Sequence, residues 1–216
     1  MSKAVQAVFL DRDGVLNREV GLVTRPEQLV LEPGAAEAVR RLNEAGVLAV
    51  VATNQPVVAR GLCSEEDLAR IHERLQELLW MEARARLDAI YYCPHHPERG
   101  HPDANPLYRG PCRCRKPAVG MLEVARERFG LDLRRCVLVG DRTADLLAAR
   151  RAGCRSVLVR TGYGGRDGRY EVEPDHVAAN LAEAVRLILR RRGGVHGDRC
   201  RPGRTTATGD GRDRAT

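Results

Sequence analysis

Phe9-Leu10-Asp11-Arg12-Asp13-Gly14-Val15-Leu16-Asn17 sets two carboxylates, one residue apart, where an apolar run stops. The run before them, Ala4-Val5-Gln6-Ala7-Val8-Phe9-Leu10, reads as a buried strand, short and rich in apolar and β-branched residues. Asp11 then sits at the strand's carboxyl end, where ligands bind in an open α/β sheet. Gly14 permits the sharp turn that carries the chain away. Two ionised acids this close repel each other, and a bound divalent cation removes that cost. A strand-end turn, which Asp favours, is the other reading.

Downstream, residues 14–33 form a polar loop with Gly21, Pro26 and Pro33. Pro33 suits a helix start, and Ala35 to Ala45 has the helical period, with Ala38, Val39, Leu42 and Ala45 toward the core and Gly46 closing it. Val47 to Ala52 is a second buried strand. Strand, helix, strand in this order implies a right-handed parallel crossover. The second strand ends in Thr53-Asn54-Gln55, whose hydroxyl and amides can donate to phosphate oxygens. Ser64 caps a long helix running to about Arg86. Trp80 and Met81 read as its core face, and Ala89 to Tyr92 as a third strand.

Cys93-Pro94-His95-His96-Pro97 opens a loop that closes on Cys112-Arg113-Cys114-Arg115-Lys116-Pro117. Two close ligand pairs, Cys-x-His and Cys-x-Cys, form a structural zinc pattern; His101 is a further candidate by spacing. A disulfide or incidental thiols are the alternatives, but clustered Cys in a cytosolic chain favours metal. A long loop nearly free of apolar residues needs such a staple. The staple delivers Arg115 and Lys116, a fork and a compact ammonium suited to phosphate; two solvated basic residues are the bland reading. A helix from Val119 to Phe129 follows, closed by Gly130. Cys136 to Val139 is a fourth strand leading into Gly140-Asp141-Arg142-Thr143-Ala144-Asp145. A helix from Ala144 to Ala152 and a fifth strand from Ser156 to Arg160 complete the sheet. Asn180 and Glu183 form a capping box for a last helix ending near Arg192.

The 216 residues suit one domain, residues 1–192, with a full-sized core. Residues 193–216 have three aliphatic side chains among Gly, Arg, Thr and Asp and read as a disordered basic tail. No apolar run is long enough to cross a bilayer, and no secretory segment is evident near residue 1, so the expectation is a cytoplasmic protein; a compact single domain with no obvious exposed heptad reads as a monomer. The net charge of +7 admits nucleic acid, anionic lipid or a phosphorylated metabolite as partner. Aromatic content of 4% is poor material for stacking on bases, which speaks against a zinc-containing RNA-binding module. Nearly every cation is Arg; the lysines are Lys3 and Lys116 alone, which marks Lys116.

Taken together, these stretches resemble the haloacid dehalogenase-like phosphatases: Asp11-x-Asp13-Gly14 is similar to their first motif, Thr53 to the second, Lys116 to the third and Gly140-Asp141-x-x-x-Asp145 to the fourth. Asp-Arg-Asp-Gly-Val-Leu-Asn with the Cys/His pattern resembles the zinc-containing subgroup of D-glycero-D-manno-heptose 1,7-bisphosphate phosphatases and histidinol-phosphate phosphatases. The resemblance implies an α/β, doubly wound Rossmann-like parallel sheet, a zinc-stapled loop, a small flap and no large cap domain. It implies Asp11 as nucleophile, Asp13 as general acid and base, Thr53 as phosphate ligand, Lys116 as the charge-neutralising cation and Arg115 as a substrate ligand. Catalytic Mg²⁺ would be held by Asp11, the Asp13 carbonyl and Asp141, with Asp145 supporting the loop; carboxylate, carbonyl and water suit Mg²⁺ better than zinc. Structural Zn²⁺ would be held by Cys93, His95, Cys112 and Cys114, His95 being preferred to His96 by the resemblance. Glu19, Val20, Gly21 and Leu22 of the flap, with Asn54, Gln55 and Arg60, would meet a phosphorylated sugar. Pro56-Val57 departs from the Ser-Gly usual in the subgroup. The implied reaction removes the 7-phosphate of a heptose 1,7-bisphosphate, with histidinol phosphate as the alternative substrate.

Overall fold

Every apolar run read as a strand becomes one. The computed structural model describes residues 4–97 and 105–190; His101 and the expected tail, residues 193–216, lie outside them. The elements run β1 (Ala7–Leu10), α1 (Ala35–Glu44), β2 (Leu48–Asn54), α2 (Glu65–Ala83), β3 (Ala89–Cys93), α3 (Gly120–Phe129), β4 (Cys136–Gly140), α4 (Thr143–Ala152), β5 (Arg155–Val159), β6 (His176–Ala178) and α5 (Leu181–Arg190). The sheet order is β3-β2-β1-β4-β5-β6, and each neighbouring pair is parallel. Five strands were expected; β6 adds a sixth. Its three residues are too few to show a period against the surrounding turns.

Side chains alternate across the central strands. Val8 and Leu10 of β1, with Val51 and Val139, face a core closed by Leu42 of α1, Leu75 of α2 and Val185 of α5. Ala7 and Phe9, with Val50 and Leu138, face the other core, closed by Leu122 of α3 and Ala149 of α4. Both faces are covered, which is why the strands read as continuous apolar runs.

Helix ends follow local chemistry, with two corrections. Pro33 stays outside α1; Gly34, at φ +77°, is the capping residue. Ser64 and Asp67 cap α2 reciprocally, at 3.1 and 2.9 Å. Trp80 and Met81 are not core: they are 50% and 71% exposed. The buried stripe of α2 is Leu68, Ile71, Leu75 and Leu79, and the next two residues rotate away from it. The Arg84 guanidinium covers the Trp80 ring at 5.1 Å.

The two edges of the sheet are built differently. At the amino ends, side chains pin the backbone: Asp88 accepts from the Ala49 N–H at 2.8 Å, Asp175 from the Ser156 N–H at 2.7 Å, and Gln6 from the Asp132 N–H at 2.8 Å. At the carboxyl ends, strand order reverses about β1, which opens a crevice between β1 and β4.

Candidate active site and adjoining metal-ligating cluster

Asp11 leaves β1 into that crevice, and Asp141 follows β4 beside it. The Asp11 N–H donates to the Val139 carbonyl at 3.0 Å, which fixes the two strand ends together. Asp145, one turn into α4, completes a buried group: one carboxylate oxygen from each of Asp11, Asp141 and Asp145 lies within 4.8 Å of the others. Lys116 Nζ reaches Asp145 at 2.6 Å and Asp11 at 3.1 Å. Burial pushes Asp141 up to about 8, helped by the neighbouring Asp11 and Asp145. Burial raises Asp145 to about 6, against the pull of Lys116. Burial opposes the charge on Lys116, but Asp11 and Asp145 outweigh it and hold the ammonium above its ordinary value.

The donor set fits a hard divalent cation. Mg²⁺ takes oxygen ligands, usually one or two carboxylates completed by water and phosphate, and this group supplies them. Asp141 Oδ2 accepts from the Tyr163 N–H at 2.8 Å, but its Oδ1 is buried with no hydrogen-bond partner, an expense that an ion removes. The backbone leaves room: Gly14, at φ +77°, and Gly162, at φ +56°, press on Asp141 so closely that a Cβ on either would strike its carboxylate.

Asp13 points the other way and is held as an anion. Both oxygens take 2.9 Å contacts from Arg12 Nη2, while Asn17 and Gln55 donate at 2.9 and 2.8 Å. Burial would raise its pKa, but the Arg12 charge and these hydrogen bonds win, and the net direction is down. Thr53 is buried and accepts from Gln55 Nε2 at 3.0 Å. Asn54 lines the cleft and also holds Lys116. Its Oδ1 accepts from the Lys116 N–H at 2.9 Å and its Nδ2 donates to the Lys116 carbonyl at 3.0 Å, so one edge of the amide places the lysine.

Asp11, Asp13, Asn54, Gln55, Lys116 and Asp145 line a cleft of about 730 Å³ whose wall also includes Glu19, Gly21, Leu22, Arg60, Arg115 and Arg142, while Thr53 and Asp141 are buried behind it. Val20 is not part of that wall and is 54% exposed; alternation along an extended loop turns it outward. Glu19 accepts from Arg142 at 3.1 Å, and that guanidinium stacks 3.8 Å over Tyr163, so the flap is tied to the loop after β4. Arg12, buried His72, Arg142, Tyr163 and Gly162 were not singled out in the sequence. Arg12 sits inside the first motif, and its position was the one signal within reach: a cation between two acids.

Across the cleft, Cys93, His95, Cys112 and Cys114 converge. Cys114 Sγ stands 3.1 Å from Cys93 Sγ, 3.4 Å from Cys112 Sγ and 3.5 Å from His95 Nδ1. These separations are far beyond a disulfide bond and close to the ~3.8 Å edge of a tetrahedron with ~2.3 Å metal–sulfur bonds. His96 is buried outside the group. The cluster joins the active cleft through Arg115, whose N–H donates to Cys112 Sγ at 3.4 Å and whose Nη1 donates to the His95 carbonyl at 3.0 Å. Lys116 is the next residue.

The HAD-hydrolase-like family profile matches residues 113–184. A D-glycero-D-manno-heptose-1,7-bisphosphate 7-phosphatase from Thermosynechococcus vestitus is 48% identical over 188 residues, 84% of this chain and 94% of the relative. A D-glycero-beta-D-manno-heptose-1,7-bisphosphate 7-phosphatase from Pseudomonas aeruginosa is 40% identical over 85% of this chain and 97% of the relative. The crystal structure of D,D-heptose 1,7-bisphosphate phosphatase from B. bronchiseptica, complexed with magnesium and phosphate, superposes with a TM-score of 0.73 at 35% identity, covering 86% of this chain and 99% of that one. The chain belongs to the haloacid dehalogenase-like hydrolases and, within them, to the D-glycero-D-manno-heptose-1,7-bisphosphate 7-phosphatase family.

Proposed function

We propose that this protein is a phosphatase that removes the 7-phosphate of D-glycero-D-manno-heptose 1,7-bisphosphate and releases heptose 1-phosphate. The observation that carries the reading is the convergence of Asp11, Asp141, Asp145 and Lys116 on one buried point, with Asp13 beside Asp11 on the same loop. Relatives of this name cover nearly their whole length with this chain.

Asp11 attacks phosphorus, and the P–O bond to the sugar breaks as the P–O bond to Asp11 forms. Covalent catalysis divides the hydrolysis into two lower barriers. Asp13 gives its proton to the departing alkoxide, then takes one from the water that cleaves the aspartyl phosphate. In the free protein Asp13 is held as an anion; a phosphate dianion placed beside it favours the protonated form, so proton uptake accompanies substrate entry. Lys116 and Thr53 face the transferring oxygens, and Arg115 and Arg60 hold the remainder of the sugar phosphate. Asp11, the Asp13 carbonyl and Asp141 would hold Mg²⁺, with Asp145 close by, and the ion supplies positive charge against the phosphoryl oxygens. Cys93, His95, Cys112 and Cys114 would hold structural Zn²⁺. We place the enzyme in the cytoplasm as a monomer; among the described residues no helix is long and apolar enough to cross a membrane.

Phosphate release from heptose 1,7-bisphosphate and from histidinol phosphate, each with Mg²⁺, tests the reading. Turnover of the heptose bisphosphate is expected. Turnover of histidinol phosphate alone would replace the substrate while keeping the chemistry.

A further inference from the structure

Arg12 is the largest fully buried side chain of the described residues, and the mechanism above gives it no task. A buried guanidinium is expensive unless its donors are used. Two edges of this one are used. Nε and Nη2 fork onto Asp13, at 3.2 Å and 2.9 Å. Nη1 stands 3.5 Å from Nε2 of His72, a residue sixty positions away on α2.

His72 is itself sealed. It is 7% exposed, and its other side packs on the Tyr92 ring, centroids 5.5 Å apart. The Tyr92 hydroxyl is anchored on Glu65 at 2.8 Å. Burial and the Arg12 charge, against a weaker pull from Asp13, drive His72 down to about 3. The ring is therefore neutral, and because a guanidinium only donates, the contact is favourable in the tautomer that leaves Nε2 its lone pair. A path of contacts runs from Glu65 through Tyr92, His72 and Arg12 to the carboxylate of Asp13.

We propose that His72 and Arg12 are positioning residues for Asp13: His72 fixes which edge of the guanidinium faces the site, and that edge aims the carboxyl group that must reach the leaving oxygen. The proposal deepens the reading above and rests on Asp13 being its acid and base. Neither side chain lines the cleft. What they supply is alignment, and proton transfer depends on it.

The test exploits leaving groups. A sugar alkoxide cannot depart without a proton; p-nitrophenolate can. kcat/KM covers only the steps through departure of the alcohol, so slow hydrolysis of the aspartyl phosphate does not enter. In His72→Leu, kcat/KM for heptose bisphosphate should fall about tenfold or more, part of the 10²–10⁴ that acid–base catalysis supplies. For p-nitrophenyl phosphate it should change less than about threefold, because that step draws nothing from general acid catalysis. His72→Gln, which restores an acceptor, should recover most of the loss. Arg12→Lys, which keeps the charge without the fork, should show the same split, and it decides the matter if His72→Leu does not melt cooperatively. Equal losses on both substrates, or none, would overturn the proposal. If the wild-type enzyme ignores heptose bisphosphate but cleaves another alkyl phosphate, the substrate reading fails alone, and the split is measured on that alkyl phosphate.

Discussion

Lys116 Nζ and the Asp145 carboxylate face each other across 2.6 Å with both side chains sealed from solvent. A pair in that setting stabilises less by its presence than its breakage destabilises, because the partner is left as a bare buried charge. Lys116→Met should lower unfolding stability by about 3–5 kcal/mol in Mg²⁺-free buffer. Urea denaturation with and without Mg²⁺ reads it, and the loss should shrink as Mg²⁺ is added, since the ion replaces the missing positive charge. An unchanged midpoint would mean that the ammonium is not the counter-charge.

Asp11→Asn should abolish phosphate release while the protein still melts cooperatively. The amide keeps the shape and cannot form the acyl phosphate. Turnover retained in this variant would remove Asp11 as nucleophile.

The pH dependence of stability has a definite sign. Asp141 sits near 8 in the folded protein and near 3.9 when unfolded. Between those values the folded state holds a proton that the unfolded state has lost, so Asp141 costs stability progressively as pH rises through the window. Asp141→Asn should therefore gain stability over wild type in Mg²⁺-free buffer, and gain more at pH 8 than at pH 5. Mg²⁺ affinity of the wild type should rise over the same interval, because the ion displaces that proton. Urea midpoints of the two proteins across pH, and calorimetric Mg²⁺ titrations, measure both.

The thiol cluster should hold about one zinc ion per chain, detected by release to a chromogenic chelator after thiol modification. His95→Ala and Cys114→Ala should lose it and expose the segment between Cys93 and Lys116 to protease, since structural zinc contributes roughly 10–16 kcal/mol of apparent binding in small peptides. His96→Ala should keep it. Zinc lost from the His96 variant and kept in the His95 variant would reverse the assignment.

Gly14→Ala should lose Mg²⁺ binding by about tenfold or more and destabilise the fold by about 1–2 kcal/mol, from the left-handed backbone alone. The added methyl also meets the Asp141 carboxylate, so the variant should fail calorimetric Mg²⁺ titration even where it folds.

The apolar strands were readable because burial on both faces removes any polar interruption, as in Val8 to Leu10 or Val137 to Val139. Ligand spacing made the thiol cluster readable for a related reason: four donors of the right kind admit few other uses. What could not be read depends on three-dimensional neighbours. That Asn54 also grips the Lys116 backbone shows only once the two loops, sixty-two residues apart, are seen together. Trp80 looks like core until the stripe of α2 is seen to pass one residue earlier. His72 lies on a helix whose period gives no hint of Arg12. β6 is three residues long and gains its identity from pairing with β5.

The contrast between the two rims of the sheet reaches beyond catalysis. Asp88, Asp175 and Gln6 lock one rim by side-chain bonds to backbone, while the opposite rim carries the flap, the thiol-bearing segment and the loop after β4. Insertions at the second rim can lengthen or reshape a recognition surface without reopening the problem of how the strands align. A chain organised this way can acquire a new sugar preference by exchanging the flap alone, because Asp11, Asp13, Lys116, Asp141 and Asp145 all lie outside it.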